Sequence, residues 1–431
     1  MASVLRRIPP GPVKKYDSGQ DLLIWMGEQF DQFGDIYRAS IYGRETYVIS
    51  APEHVEHVLL KNWQNYPKGQ AIKRIALLLG NGLMVSTGDF WMRQRRMIQP
   101  AFTRAALGSL AGVITAANAG LLDRWTQAAK ANATVNVTRD VSLVILDIVL
   151  MSIFGDDYEE VAPQFRVVSE EAARNLEFAV MLRSLGKITA EVAEKRRQET
   201  RIAADFLGML MQARDRDSGR AMSDSQLIKE ILTLIVAGHE TTASTLNWTW
   251  YLLSQNPVAE QKLSKELGGW SADKPLSVDD LKGYPYSRQV IEEALRLYPP
   301  GWLMTRRAIH DDQMGEFFVP AGTEVYISPF YIQRRPSFWE TPDLFNPDRF
   351  DPTGVNHQAA LAMLPFSVGP RNCIGEHLAR MEMQMHLMII AKRLRLRYVE
   401  SSRPALAAGV NLLSANDFLM TPELKSASNG S

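Results

Sequence analysis

A mainly α-helical chain with a smaller β-rich region is the fold class this sequence predicts, and three observations carry the prediction. A long helix runs from Ser223 or Asp224 to about Gln255, where Asn256-Pro257 ends it. Leu107 to Arg214 reads as a series of helices with few breakers. Strand-like alternation is confined to short segments: Ile36 to Ser50, Trp302 to Pro329, and the region after Lys392.

The individual elements follow in order. Asp21 to Phe33 has apolar residues at helical spacing and stops at Gly34. Ile36 to Ser50 alternates around Gly43 and reads as a hairpin. Pro52 opens a helix through Leu60, and Tyr66 to Ser86 is mostly loop with a helical piece at Ile72 to Leu79. A helix with a basic face starts at Gly88 and runs toward Pro100. Asp215 to Ser223 is a polar turn before the long helix. Tyr286 to Leu297 is helical and ends at Pro299-Pro300-Gly301. Trp302 to Arg307 is extended, and Val319 to Pro329 alternates around Gly322 as another strand. Phe338 to Pro352 is a loop rich in proline and aromatics. His377 to Lys392 is the last helix, with strands expected over Lys392 to Val399 and Pro404 to Met420.

Composition narrows the class of protein. Of 431 residues, 46% are hydrophobic and 22% charged, ordinary globular material with ample core. Lys plus Arg equals Asp plus Glu at 48 each, so no net field favours nucleic acid. One cysteine excludes an internal disulfide framework and fits a reducing compartment, here the cytoplasm. Unbroken apolar runs are too short for a bilayer; the most apolar, Val141 to Phe154, is interrupted by Asp147. Only eight residues precede Pro9-Pro10-Gly11-Pro12, so no signal peptide or membrane anchor is expected. No linker separates independent cores. The expectation is a Pro-rich lead-in over 1–20, a single domain over 21–420 and a flexible tail over 421–431.

Four stretches hold chemistry. The only cysteine lies in Phe366-Ser-Val-Gly-Pro-Arg-Asn-Cys373-Ile-Gly375, just ahead of a helix. A thiol there meets the positive end of the helix dipole, which favours a thiolate able to attack a substrate or bind a metal. Trp91 and Arg95, one helical turn apart, can hold a carboxylate between an indole N–H and a guanidinium. In the long helix, Ala237-Gly238-His239-Glu240-Thr241-Thr242 removes bulk and adds an acid and a hydroxyl. A threonine there can return its hydroxyl to the carbonyl four residues back and open a local bulge. His239 invites a metal-ligand reading, but its neighbours do not complete a ligand set. Finally, Glu293 and Arg296 form an i,i+3 pair, with Asn346-Pro347-Asp348-Arg349-Phe350 some fifty residues later.

Together these residues resemble the signatures of the cytochrome P-450 family. Phe366, Gly369, Arg371, Cys373 and Gly375 match its haem-binding pattern, and Ala237 to Thr242 its oxygen-activation segment. Glu293-x-x-Arg296 and Pro347-Asp348-Arg349-Phe350 are similar to the two segments of its structural charge triad, Glu293, Arg296 and Arg349, and the order and spacing of these four signatures are family-like. The resemblance implies the cytochrome P-450 fold, with haem between the long helix and the cysteine loop. It implies haem b, iron protoporphyrin IX, with Cys373 as axial thiolate ligand to the metal. Phe366, Gly369 and Gly375 would shape that site, the glycines giving the porphyrin close backbone approach. Ala237 would face the haem, and Trp91, Arg95, Arg371 and Arg306 would meet its propionates, Arg306 being preferred over Arg307. Thr241 would hold dioxygen and a water, and Glu240 would feed protons. Ile72, Leu78, Ala237, Trp302, Leu303, Met304 and Leu412 would line an apolar substrate pocket; Lys73 and Arg74 could pair a substrate carboxylate if they point inward, with solvent the favoured reading. The mobile cover would be Phe165 to Arg201.

The function so implied is a monooxygenase that hydroxylates or epoxidises a hydrophobic small molecule such as a terpenoid, steroid or fatty acyl compound. Electrons would come from a separate ferredoxin served by an NAD(P)H-dependent flavin reductase, since the chain ends about fifty residues after Cys373. Arg93, Arg96, Arg104 and Arg380 are candidates for a basic docking patch on a monomer. Two alternatives are a peroxide-driven hydroxylase of the same fold and a non-catalytic haem carrier or gas sensor. The first tends to lack the acid–alcohol pair that Glu240 and Thr241 supply, and the second has no need of Thr241.

Overall fold

The computed structural model describes residues 7–12, 15–17, 19–163, 176–200, 203–270, 276–352 and 361–425, without the side chains of Lys73, Arg74, Leu78 and residues 176–182. Among the described residues helices dominate and the strands form four small sheets, the mainly α class expected. The chain divides into two compact units. One comprises Met1–Arg74, Glu292–Cys373 and Pro404–Ala415; the other Ile75–Ile291, Ile374–Arg403 and Asn416–Ser431.

The first unit is built on a hairpin. Strands Ile36–Ile41 and Arg44–Ile49 meet at Tyr42-Gly43, both at positive φ, the two-residue turn whose twist suits a hairpin. Glu324–Ile327 adds in parallel to Arg44–Ile49, and Met304–Arg307 closes the four-stranded sheet. The two-residue period of the strands then makes two cores. Tyr47, Ile49, Val325 and Ile327 enter one; Tyr37, Ala39, Ile41, Val48 and Tyr326 enter the other. The stretch expected as one strand over Val319 to Pro329 is two. Phe317–Val319 pairs with Asp312–Met314, and a turn with Gly322 at φ +91° separates it from Glu324–Ile327. The helix from Pro52 holds α geometry to Glu56 and continues as a π-turn over His57–Lys61.

The second unit is organised on the long helix Asp224–Gln255, capped at its start by the Ser223 side chain accepting from Gln226 N–H. It runs unbroken through the Ala-Gly-His-Glu-Thr-Thr segment, so the expected bulge does not form. Pro257 ends that helix and at once opens another, Pro257–Gly268; at a first turn its missing N–H costs nothing. Helix Val137–Phe154 packs along the long helix with twelve buried residues. A strand the alternation did not reveal, Val135–Asn136, pairs with Leu419–Leu424, which pairs with Leu394–Tyr398.

One expectation needs correction here. Arg104–Lys130 is long and apolar enough by length and composition to cross a membrane, although no run in the sequence was read that way. Its helix Ala111–Lys130 turns Ile114, Asn118, Leu121, Leu122 and Trp125 into the unit's interior, the pattern of a core helix. Residues 165–175 and 201 of the expected cover, and 426–431 of the tail, lie outside the described residues, while 421–424 of the expected tail belong to the paired strand Leu419–Leu424.

Candidate active site

The cysteine loop is tied on itself and on its own unit. Cys373 N–H donates to Phe366 O at 2.9 Å and Asn372 N–H to Gly369 O at 3.0 Å. Ser367 and Gly369 both sit at positive φ. At Gly369 an added Cβ would stand 2.2 Å from the Leu59 carbonyl, so this glycine serves close approach of the chain to itself. That corrects the reading of Gly369 as clearance for a porphyrin. Cys373 is exposed and forms no disulfide. Gly375 lies at the N-cap of the helix Glu376–Arg393, its carbonyl accepting from Ala379 N–H at 2.9 Å.

Beside the thiol the structure gathers cations. Arg306 is 5% exposed, and burial and Arg371 push its guanidinium down to about 10. Burial pushes Arg371 down to about 10 as well. Lys68, which the sequence reading missed, is pushed down to about 7 by burial, then by Arg306 and Arg371, with Cys373 acting the other way. Its backbone bridges to Arg306, and an added Cβ on Gly69 would strike Glu324 Oε2 and Thr305, so only glycine lets these segments close. Nothing in Tyr66-Pro67-Lys68-Gly69 marks the lysine; a bridge 238 positions away in sequence does. Arg307, the rejected alternative, faces Gly322 O at 3.3 Å and Glu324.

The charge triad is a framework. Arg296 donates to Glu293 from Nε and Nη2 and reaches the carbonyls of Gln333, Pro342 and Leu344. Arg349 Nε lies 3.3 Å from Glu293 Oε1, which also accepts from Asn346 N–H at 2.9 Å. One buried carboxylate and one buried guanidinium thus fasten the chain over 333–349.

In the second unit, Trp91 is buried and Arg95 half-buried, one turn apart on helix Gly88–Ile98. On the long helix Thr241 Oγ1 donates to Ala237 O at 2.8 Å, and Thr245 and Thr249 repeat that bond four residues on. Ala237 is half-buried and Glu240 exposed. An added Cβ on Gly238 would meet Val149 Cγ2 at 3.4 Å, so the room it leaves is taken by the neighbouring helix rather than by a ligand. Among the described residues no His, Cys, Asp and Glu cluster suits a metal ion, and His239 is engaged elsewhere.

Several lining candidates are not lining. Trp302 is 3% exposed and Leu412 fully buried in a packed core, with Leu303 against it, and Trp302 Nε1–H donates to Gly409 O at 2.9 Å. Trp302 and Leu303 precede the strand Met304–Arg307 and pack together into one core. Met304 packs against the other core, Ile72 is half-buried, and the side chains of Leu78, Lys73 and Arg74 lie outside the described residues. The basic patch is largely neutralised: Arg96 pairs with Asp217, Arg104 with Asp279 and Arg380 with Glu376, while Arg93 leans on Phe90.

A haem fits the cysteine-bearing unit on its own evidence. Lys68, Arg306 and Arg371 are each pushed down by burial, Lys68 and Arg306 also by neighbouring cations, and such a cluster suits anionic groups of the kind a haem's propionates supply, beside an exposed thiol suited to soft metal ligation.

Comparison with known proteins agrees. The family profile described as Cytochrome P450 matches residues 11–178 and 162–422. Cyclooctatin synthase of Streptomyces melanosporofaciens is 30% identical over 417 residues, covering 90% of this chain and 89% of that protein. Cyclooctat-9-en-7-ol 5-monooxygenase of the same organism is 28% identical, covering 85% and 83%. The solved structure of retinoic acid bound cyanobacterial CYP120A1 superposes with a TM-score of 0.86 at 24% identity, over 97% of this chain and 100% of that one, a likeness of fold. With signatures, fold and profile in agreement over nearly its whole length, this chain belongs to the cytochrome P450 family of haem-dependent monooxygenases.

Proposed function

We propose that the chain is a haem b monooxygenase of one catalytic domain over 21–420, which hydroxylates or epoxidises an isoprenoid-class molecule in the cytoplasm. Its two electrons come from a separate carrier, a ferredoxin with an NAD(P)H-dependent flavin reductase, serving a monomer. The observation that carries the reading is the cation cluster of Lys68, Arg306 and Arg371 beside the exposed thiol of Cys373. In that reading Cys373 is the thiolate ligand, and Trp91, Arg95, Arg306, Arg371 and Lys68 hold the propionates. Haem bound to thiolate activates dioxygen.

The chain's own contributions are placement and protons. Thr241 keeps a hydroxyl that can turn from Ala237 O toward a ligand, and Glu240, exposed on the next position, exchanges protons with solvent. Terpenoids are the favoured substrates because a relative covering most of the chain is named for oxidising cyclooctat-9-en-7-ol, a cyclic alkenol. The test is an absorption spectrum of the reduced, carbon-monoxide-bound protein, followed by a terpenoid library screened for spin shift. A Soret band at the position of histidine-ligated haem would overturn the thiolate assignment. Spin shifts with fatty acids and none with terpenoids would overturn the substrate class.

A further inference from the structure

His239 occupies the one unassigned position inside the Ala237–Thr242 segment, and the structure ties it down. Its Nε2 lies 3.0 Å from Ser142 O and 2.9 Å from Ser142 Oγ, on helix Val137–Phe154. A carbonyl only accepts, so Nε2 carries the proton and donates across the helix pair. Burial lowers the pKa of the ring, in keeping with a neutral imidazole.

A second tie lies eleven residues on. Trp250 Nε1–H donates to His386 Nε2 at 3.0 Å, and His386 Nδ1 meets Asn118 Oδ1 at 2.6 Å. Asn118 Nδ2 donates to Ile114 O at 2.8 Å, which leaves Oδ1 as the acceptor and puts the proton on His386 Nδ1. All these polar atoms are paired in one consistent set of tautomers.

At about 100° per residue, eleven residues make three turns and about 20°. His239 and Trp250 therefore leave the long helix from nearly one side, and both ties hold that side. Glu240 and Thr241 leave about 100° and 200° further round, on faces the ties do not touch. Rolling the helix by roughly 10° would carry a side-chain tip roughly 6 Å from the axis about 1 Å sideways. Misplacement of that size can cost about a hundredfold in a catalytic step.

We propose that His239 is a positioning residue: through Ser142 it sets the rotation of the long helix, and so the aim of Glu240 and Thr241. The inference rests on the monooxygenase reading. It also explains why a polar ring stands in a segment of small and hydroxylated residues.

The test uses full-length holoenzyme with carbon monoxide as probe, in His239→Ala, His239→Gln and Ser142→Ala. The glutamine keeps an N–H donor for the carbonyl, and Ser142→Ala keeps the carbonyl itself. His239→Ala is expected to broaden or shift the infrared C–O stretch while the Soret band of the reduced complex stays in place. It should also raise the share of electrons released as hydrogen peroxide about tenfold. His239→Gln and Ser142→Ala should stay close to wild type. A His239→Ala protein with the wild-type C–O band and peroxide yield overturns the proposal. Should His239→Ala fail to bind haem, His239→Gln decides: a wild-type band supports the proposal and a shifted one overturns it. Loss of the thiolate-type Soret band in the wild type would instead overturn the monooxygenase reading, a separable result.

Discussion

Glu293 accepts two hydrogen bonds from Arg296, at 2.6 Å from Nε and 2.8 Å from Nη2, with both side chains fully buried. Replacing Arg296 removes both bonds and leaves the buried Glu293 carboxylate with only the longer Arg349 contact at 3.3 Å to offset its charge. Arg296→Leu is therefore expected to lower unfolding free energy by about 3–5 kcal/mol, measured by denaturant titration. It should also free the carbonyls of Gln333 and Pro342 that the guanidinium holds. An unchanged denaturation midpoint would remove the triad from the account of stability.

Arg306, buried, is the proposed propionate ligand, and its half-buried neighbour Arg307 is the control. Loss of one charged hydrogen-bond donor costs about 1.5–3 kcal/mol, so Arg306→Leu should release haem to apomyoglobin about tenfold or more faster. Arg307→Leu, whose side chain faces Gly322 O, should release it at the wild-type rate. Equal rates in the two variants would contradict the cation cluster as the propionate site.

Thr241 offers its hydroxyl to Ala237 O at rest, and loss of that hydroxyl leaves no proton donor at the position. Thr241→Ala is expected to divert electrons to hydrogen peroxide about tenfold or more, with Thr241→Ser close to wild type. Product yield per NAD(P)H is the measurement. Full coupling in Thr241→Ala would remove Thr241 from proton delivery.

Glu230 sits 1% exposed in the long helix, accepting from Leu83 N–H at 2.8 Å and from Gln226, and burial pushes its carboxyl up to about 7. A carboxyl raised above its unfolded value near 4.5 binds a proton in the folded state while the unfolded chain has released its own. Stability from this group is thus full below about 4.5 and is lost as pH rises toward 7, on the order of 3 kcal/mol in total. Melting temperature measured across that window should fall less steeply in Glu230→Gln. A parallel pair of curves would show that Glu230 does not titrate there.

Much of the fold was legible because its signals are local. The helices Leu22–Phe33, Ile72–Leu79 and Asp224–Gln255 appear where apolar spacing, Asp21, Ser223 and Pro257 put them. Val135–Asn136 was not legible: two residues carry no period, and their pairing to Leu419–Leu424 is a long-range event. Trp302, Leu303 and Leu412 were misread for a related reason. An apolar side chain looks the same in sequence whether it lines a cavity or fills a core.

The sequence by itself determined the family and the candidate reactive groups. Cys373, Glu240, Thr241 and the Glu293–Arg296 pair are set by residue type at short spacing, which chain geometry translates directly into position. Tertiary structure decided which groups keep company: Lys68 beside Arg306, Gly369 on the Leu59 carbonyl, His239 on Ser142. Those meetings depend on how segments tens to hundreds of residues apart close on one another. No local period records that.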